Sequence, residues 1–454
     1  MSTKSILTRR EFLQRGVILA ATSATIPSFL LRTVHAFDNP RDARATQSIP
    51  GMPDDRILVV LQLGGGNDGI NTVVPFGDDN YYRLRKTLAI PADGTLKLND
   101  SVGFHPSMAK LKSLFDDGRV AVVQGVGYPN PNRSHFRSTD IWETASDANV
   151  VEKHGWLGRY FDAQCPGCGE KHPELAINIG RIPPDALKSS QPLGVALENP
   201  DALEWKPTTK DAMAVQEEKK IFRELNAPTN SNFGGTGVPA RDNSTAQAGT
   251  PAPPSSDSVS PLDYVQRTSM NAQLASERVK EAIRHYKGTV DYPQTEFARR
   301  LKLIAQMIAG KMPTRVYYAS MGGFDTHANQ KQNHANLLTE FSTAVEAFHR
   351  DLKQQGNDGR VVMMTFSEFG RRAAENASDG TDHGAAAPMF VIGTPVKGGL
   401  YAKYPALNDL DRDGDIKMTA DFRSVYATIL ENWLKAKAEP LLRKNFEKLA
   451  FLPA

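Results

Sequence analysis

Three glycine-flanked stretches of this sequence carry side chains able to bind a cation. Asp382 and His383 are adjacent in GTDHGAAAPMFVIG, between Gly380 and Gly384. Asp325 and His327 stand in GGFDTH, and Asp68 stands in GGGNDG. Carboxylate oxygens and imidazole nitrogens are the donors that hard and borderline divalent cations take. Neighbouring glycine lets the backbone turn such side chains inward. Each residue also has an ordinary reading. Asp68 serves equally as a turn residue, Asp325 as the cap of a helix starting near Ala328, His327 as a hydrogen-bonded loop histidine, and Asp382-His383 as a polar turn.

The surrounding elements favour a common site. RILVVLQL (Arg56–Leu63), RVAVVQGVG (Arg119–Gly127), RVYYASM (Arg315–Met321), RVVMMTF (Arg360–Phe366) and PMFVIG read as strands that are apolar throughout. PSMAKLKSLFDDG, SHFRSTDIWETAS, ANLLTEFSTAVEAFHRDLKQQG and TADFRSVYATILENWLK read as helices, the first stopped by Gly118 and the third by Gly356. Strands buried on both faces, alternating with helices, predict an α/β fold: a doubly wound, mostly parallel sheet with helices on both faces and cap-like insertions. Ligands in such folds sit outside the carboxyl ends of the strands. Those ends carry Asn67-Asp68, Asp325-Thr326-His327 and Ser367-Glu368. Asp382-His383 precedes its strand, so the loop has to bring it to the same edge.

The chain has 454 residues, enough for one large domain with insertions or two modest ones. A formal charge of +3 gives no reason to expect nucleic acid or an anionic membrane as a partner. The N-terminus, MSTKSILTRREFLQRG followed by VILAATSATIPSFLL and TVHA, reads as a secretory signal, and Arg9-Arg10 before Phe12 and Leu13 resemble the twin-arginine type. Cleavage is expected after Ala36, leaving no stable membrane span; the other reading is an uncleaved anchor. The protein is thus expected to be periplasmic or secreted, with the twin-arginine machinery as its export partner. Cys165 and Cys168 form CPGC, a small disulfide loop, two inert thiols, a redox pair or half a zinc site. Residues 37–454 are expected to form a single domain with an insertion at about 150–290, flexible over 226–261.

LVVLQLGGGNDGINTVVP, GYPNPNRSHFRSTDIWETA, YYASMGGFDTHANQ, MTFSEFGRRAAENASDGTDHGAAAPMFVIG and DFRSVYATILENWL together resemble the exported family labelled DUF1501, placed in the alkaline phosphatase and sulfatase superfamily. The resemblance implies an alkaline phosphatase-like fold. It implies metal binding by Asp68, by Asp325 with His327, and by Asp382 with His383. It places a serine nucleophile at Ser134, with Thr72 and Ser138 as weaker matches. Arg133 or Arg137 is then suited to hold a non-bridging oxygen, and His135 to act as ligand or acid/base. The helix opened by SHFRSTDIWETA suits an anionic group at its N-terminus, although Ser134 also reads as a plain N-cap.

Two departures from the superfamily stand out. The Asp-to-His spacing in DTH is short, and no histidine follows His383. Glu368 or His135 is the available substitute, or a single ion binds; Glu368, Arg371 and Arg372 also read as a structural ion-pair cluster. The expected function is a hydrolase of small-molecule or polymer phosphate or sulfate esters using one or two divalent ions (zinc, manganese, calcium or magnesium). The alternative is a non-catalytic exported scaffold that keeps the fold.

Overall fold

The computed structural model describes residues 56–166, 172–190, 194–198, 278–284 and 286–454, with a few positions between 211 and 220. The signal at 1–36, the segment 226–261 and Cys168 lie outside the described residues. Cys165 is not a free thiol.

The strands are β1 Ile57–Leu63, β2 Val73–Val74, β3 Leu96–Lys97, β4 Gly103–Phe104, β5 Val120–Gly127, β6 Ala176–Ile179, β7 Val195–Leu197, β8 Val316–Met321, β9 Val361–Phe366, β10 Ala387–Ile392, β11 Gly399–Tyr401 and β12 Ala420–Asp421. The helices used below are α1 Gly69–Thr72, α2 Asp79–Leu84, α3 Ala109–Asp116, α4 His135–Thr144, α5 Trp156–Gln164, α6 Glu296–Ala309, α7 Gln330–Gln354 and α8 Phe422–Thr428. Among the described residues nine strands form the main sheet in the order β11-β5-β10-β9-β1-β8-β6-β7, with β12 also on β5; β2, β4 and β3 form a small separate sheet.

Period-two alternation on β1 divides the core. Ile57, Val59, Leu61 and Leu63 join one apolar cluster with Leu111 of α3, Leu301 and Ile304 of α6, and Phe341 and Val345 of α7. Leu58 and Val60 join the other with Ile141 and Trp142 of α4, Trp156 and Leu157 of α5, and Val425 of α8. Each fully buried aliphatic side chain contributes about 1.5–3 kcal/mol. Helices therefore cover both faces, and the doubly wound architecture is as the sequence implies. Residues 150–198 differ from the cap-like reading: they supply α5 and two strands, β6 and β7, that extend the sheet beyond β8. The late helix differs too, since α8 ends at Thr428 and a π-helical turn, Ile429–Trp433, continues it.

One strand changes direction. β10 runs antiparallel to both β9 and β5, whereas the other pairings in the sheet are parallel. No helix crosses between β9 and β10. The chain leaves the carboxyl end of β9, makes the loop 367–386 at that edge, and returns. The amino end of β10 therefore lies where the other strands end. Asp382-His383 reaches the ligand edge through strand direction as well as through its loop.

Gly380 and Gly384 let that loop close. A Cβ on Gly380 would overlap the His327 carbonyl, and one on Gly384 the Arg371 carbonyl. Bonds from Arg372 N to the Asp382 carbonyl (3.0 Å) and from Gly384 N to the Gly370 carbonyl (2.8 Å) carry the β9–β10 pairing into the loop. Gly384→Ala is expected to cost about 1–3 kcal/mol through forced backbone displacement. Gly359→Ala, whose added Cβ meets nothing within 4 Å, is expected to stay within about 0.5 kcal/mol. Urea midpoints measure both; equal midpoints would show that the loop has room to spare.

Candidate metal centre

Three loops converge on Asp325, which follows β8. Its Oδ1 lies 3.1 Å from Nε2 of both His327 and His383. Those two nitrogens are 2.9 Å apart. Asp325 Oδ2 lies 3.5 Å from Nε2 of His135, in the first turn of α4. His135, Asp325 and His383 offer ligand atoms within 4.8 Å of one another, a group of metal-binding composition among the described residues.

The far side of each ring is held by an oxygen. His135 Nδ1 meets Glu368 Oε1 at 2.8 Å, His383 Nδ1 meets the Arg133 carbonyl at 2.9 Å, and His327 Nδ1 meets Asp382 Oδ1 at 3.3 Å. Facing an acceptor, each Nδ1 is assigned the ring proton, and each Nε2 then presents a lone pair. Lone pairs on three imidazoles therefore point toward one carboxylate. Metal-bound histidines are commonly oriented in this way by a carboxylate or carbonyl behind the ring.

Charge at the site follows from its neighbours. Burial opposes the charge of Asp325, yet the hydrogen bond from Arg371, the close His383 ring and the charge of Arg371 hold its carboxyl down to about 2. A hydrogen bond from Asn376 and the His327 contacts likewise hold Asp382 below its ordinary value, against partial burial. Burial pushes His383 below the usual imidazole value despite the pull of Asp325 and the Arg133 carbonyl. Near neutral pH the site therefore presents charged carboxylates and a neutral His383 ring, the forms that ligate.

The structure redistributes several expected roles. Asp68 is not brought to the cluster. It is fully buried and paired with Arg85, which follows α2, through Oδ2–Nη1 at 2.6 Å and Oδ1–Nη2 at 3.0 Å, and it accepts a further bond from Gln330. A residue at the end of the first strand is drawn inward here because a guanidinium from a later helix end is buried beside it. Burial opposes its charge, and Arg85 with His334 and Gln330 still holds it below the ordinary range. Glu368 stands behind His135 rather than among the converging atoms, and it also accepts from Gly65 N at 2.8 Å. Its Oε2 is buried with no hydrogen-bond partner.

The Arg133 guanidinium turns to Asp415 at 2.6 Å and Asp413 at 3.1 Å, so this residue touches the cluster only through its carbonyl. Arg137 turns to Asp140 and the Val150 carbonyl. Ser134 is the N-cap of α4, is exposed, and makes no side-chain cap bond. The weaker matches are occupied: Ser138 bonds Tyr128 and the Glu368 carbonyl, and Thr72 bonds Asn67 and the Asp68 carbonyl. Asp325 caps no helix, since α7 begins after Asn329. His334 is a packing residue; burial lowers it to about 4, and its ring lies against those of His105 and Phe324.

The residues that local sequence left unmarked are Arg85, Gln330 and Asn376. Asn376 donates to the His327 carbonyl at 2.9 Å and to Asp382 at 3.2 Å. Arg85 and Gln330 meet Asp68 only through the fold, whereas Asn376 lies six residues before Asp382.

A family model described as "Protein of unknown function (DUF1501)" matches residues 55–441. No curated protein sequence matches the chain. Among solved structures the chain is similar to a protein in the alkaline phosphatase superfamily from Vibrio parahaemolyticus, at 9% identity over 87% of this chain and 71% of that one, with a TM-score of 0.34. It is similar to the C-terminal periplasmic domain of EcEptC from Escherichia coli, at 10% identity over 84% and 83%, TM-score 0.32. It is also similar to the lipoteichoic acid synthase LtaP from Listeria monocytogenes, at 9% identity over 86% and 73%, TM-score 0.33. At these scores the likenesses assign no role to any residue.

Arg85→Leu leaves Asp68 buried and uncompensated, at an expected cost of about 3–5 kcal/mol, and Asp68→Leu on top of it should recover most of the loss. Because the folded-state pKa of Asp68 is depressed, the wild-type pair stabilises fully above the unfolded carboxylate value of about 3.9. That contribution fades as pH falls through the lower folded value. Denaturant titrations from pH 7 to pH 3 measure both effects. A single variant as stable as the wild type would show that Asp68 has another partner.

Proposed function

The chain belongs to the DUF1501 family, and from its site we propose that the protein is an exported, metal-dependent hydrolase of phosphate or sulfate esters, with Ser134 as nucleophile. The observation that supports the reading is the meeting of Nε2 lone pairs from His135, His327 and His383 at the Asp325 carboxylate. Apart from Arg371, which donates to Asp325 Oδ1 at 2.6 Å, this group of acceptors brings no donor of its own. A cation is what such a set accommodates.

Asp325, His383 and His135 would hold the ion, with His327 adjoining. Imidazoles beside one carboxylate suit zinc or manganese better than calcium or magnesium, which take all-oxygen sets. When bound, such an ion polarises an ester oxygen and lowers the pKa of a hydroxyl near it. The chain's own residues do the rest. Ser134 presents an uncapped hydroxyl at the N-terminus of α4, where free N–H groups favour an anionic ester. Glu368 fixes the His135 ring, the Arg133 carbonyl fixes His383, and Asp382 fixes His327. Arg371 keeps the Asp325 carboxylate turned to the rings.

Asp68 is tied to Arg85, which supports one compact ion site rather than two. The same observation is what favours the second reading, a non-catalytic scaffold holding one structural ion. Export to the periplasm or beyond rests on the twin-arginine segment; among the described residues no helix is long and apolar enough to cross a membrane.

Elemental analysis of the mature protein beside His383→Ala tests the reading. The expected result is about one zinc or manganese per chain, lost in the variant together with hydrolysis of phosphate or sulfate monoesters, with the circular-dichroism spectrum unchanged. Ser134→Ala should keep the metal and lose at least about a hundredfold in rate. Metal content that survives His383→Ala sinks the site assignment. A folded chain that takes up no divalent ion favours the scaffold without an ion.

A further inference from the structure

Beside the metal centre, toward β6, lies a cleft of about 740 Å³. It is walled by α4, α6, the ends of β1, β6 and β8, and the turn 180–185. α4 belongs to both places: His135 faces Asp325, and the next residue, Phe136, lines the cleft. Gln62 of β1 and Ser320 of β8 line it just before their loops reach the metal centre. From His135 the helix leads directly to Phe136 in the cleft wall.

We propose that this cleft binds an uncharged sugar unit, the body of the ester whose charged group sits at the metal centre. The assignment to an ester rests on the hydrolase reading; the sugar binding itself does not. Charge selects against an anionic body. Arg181 pairs with Glu198 at 3.0 Å, and Arg300 pairs with Glu296. Glu143 and Asp185 remain in the lining without an arginine, so the wall carries no excess positive charge. Glu143 is buried and bonded by the Tyr318 hydroxyl at 2.9 Å.

Polarity selects against an acyl chain. Gln62, Asn178, Glu143 and Tyr318 bring polar groups into the lining. Two apolar side chains nevertheless stand out at its rim: Phe136 is 91% exposed and Ile182 is 81% exposed. An aromatic face is apolar with a negative centre, and it stacks on the C–H face of a pyranose ring. The exposed Arg181–Glu198 pair is weak, so its guanidinium donors and carboxylate acceptors are free to share with vicinal hydroxyls. A platform together with fixed donors and acceptors matches a sugar, which is apolar on one face and hydroxylated at its edge.

The test uses the full mature chain and three neutral probes, cellotetraose, maltotetraose and chitotetraose, with dextran sulfate as the anionic control. Binding is read by saturation-transfer NMR and calorimetry. At least one neutral probe should bind, and Phe136→Ala and Arg181→Ala should each weaken it tenfold or more. Both side chains are exposed, so neither change threatens the fold. His383→Ala should leave this affinity unchanged while removing the metal, which separates failure of the cleft from failure of the hydrolase. The proposal is overturned if no neutral probe binds, if binding ignores both cleft substitutions, or if dextran sulfate binds more tightly through Phe136.

Discussion

The carboxyl edge of this sheet is held by one buried guanidinium. Arg371 donates from Nε to the Gly66 carbonyl at 2.8 Å and from Nη1 to the Thr381 carbonyl at 2.8 Å. From Nη2 it donates to the carbonyls of Gly65 and Phe324 and to Asp325 Oδ1. The loops after β1 and β8 and the loop before β10 thus share one side chain with no solvent exposure. Removing a full charge from water is costly, and only such complete hydrogen bonding offsets it. The three loops therefore cannot move independently. This fixes where Asp325 meets the histidines.

A second buried arginine, Arg85, does comparable work one layer down and with a different outcome. It takes both oxygens of Asp68 and the carbonyls of Ala373 and Arg372. Asp68 becomes part of the support, while Asp325, held by Arg371 through one oxygen, keeps the other facing His135. The two carboxylates differ in how many of their oxygens a guanidinium occupies: both in Asp68, one in Asp325. Around the centre the same logic repeats, with Glu368, Asp382 and the Arg133 carbonyl each committed to the outer nitrogen of one ring.

Much of this was legible beforehand. The apolar runs at β1, β5, β8, β9 and β10 are strands because continuous Val, Ile, Leu and Met sequences suit a sheet covered on both faces. Gly118 and Gly356 end their helices with positive φ, as expected of glycine at such ends. Asp325, His327, Asp382 and His383 come together at one edge, as the strand ends and the loop before β10 implied. Asp68, Glu368 and Arg133 were identified as site residues, but their partners were not. Arg85 lies 17 residues from Asp68, Asp415 lies 282 from Arg133 and His135 lies 233 from Glu368, and no spacing rule connects them.

The sequence by itself determined the period of each element, the glycine-bounded loops and the ligand chemistry those loops carry, because these depend on residue type and near neighbours. The tertiary structure decided the direction of β10, the capture of Asp68 by Arg85, and the entry of His135 into the cluster. Those outcomes depend on which buried charges and backbone groups find partners outside their own element. That is settled only when the whole core closes around them.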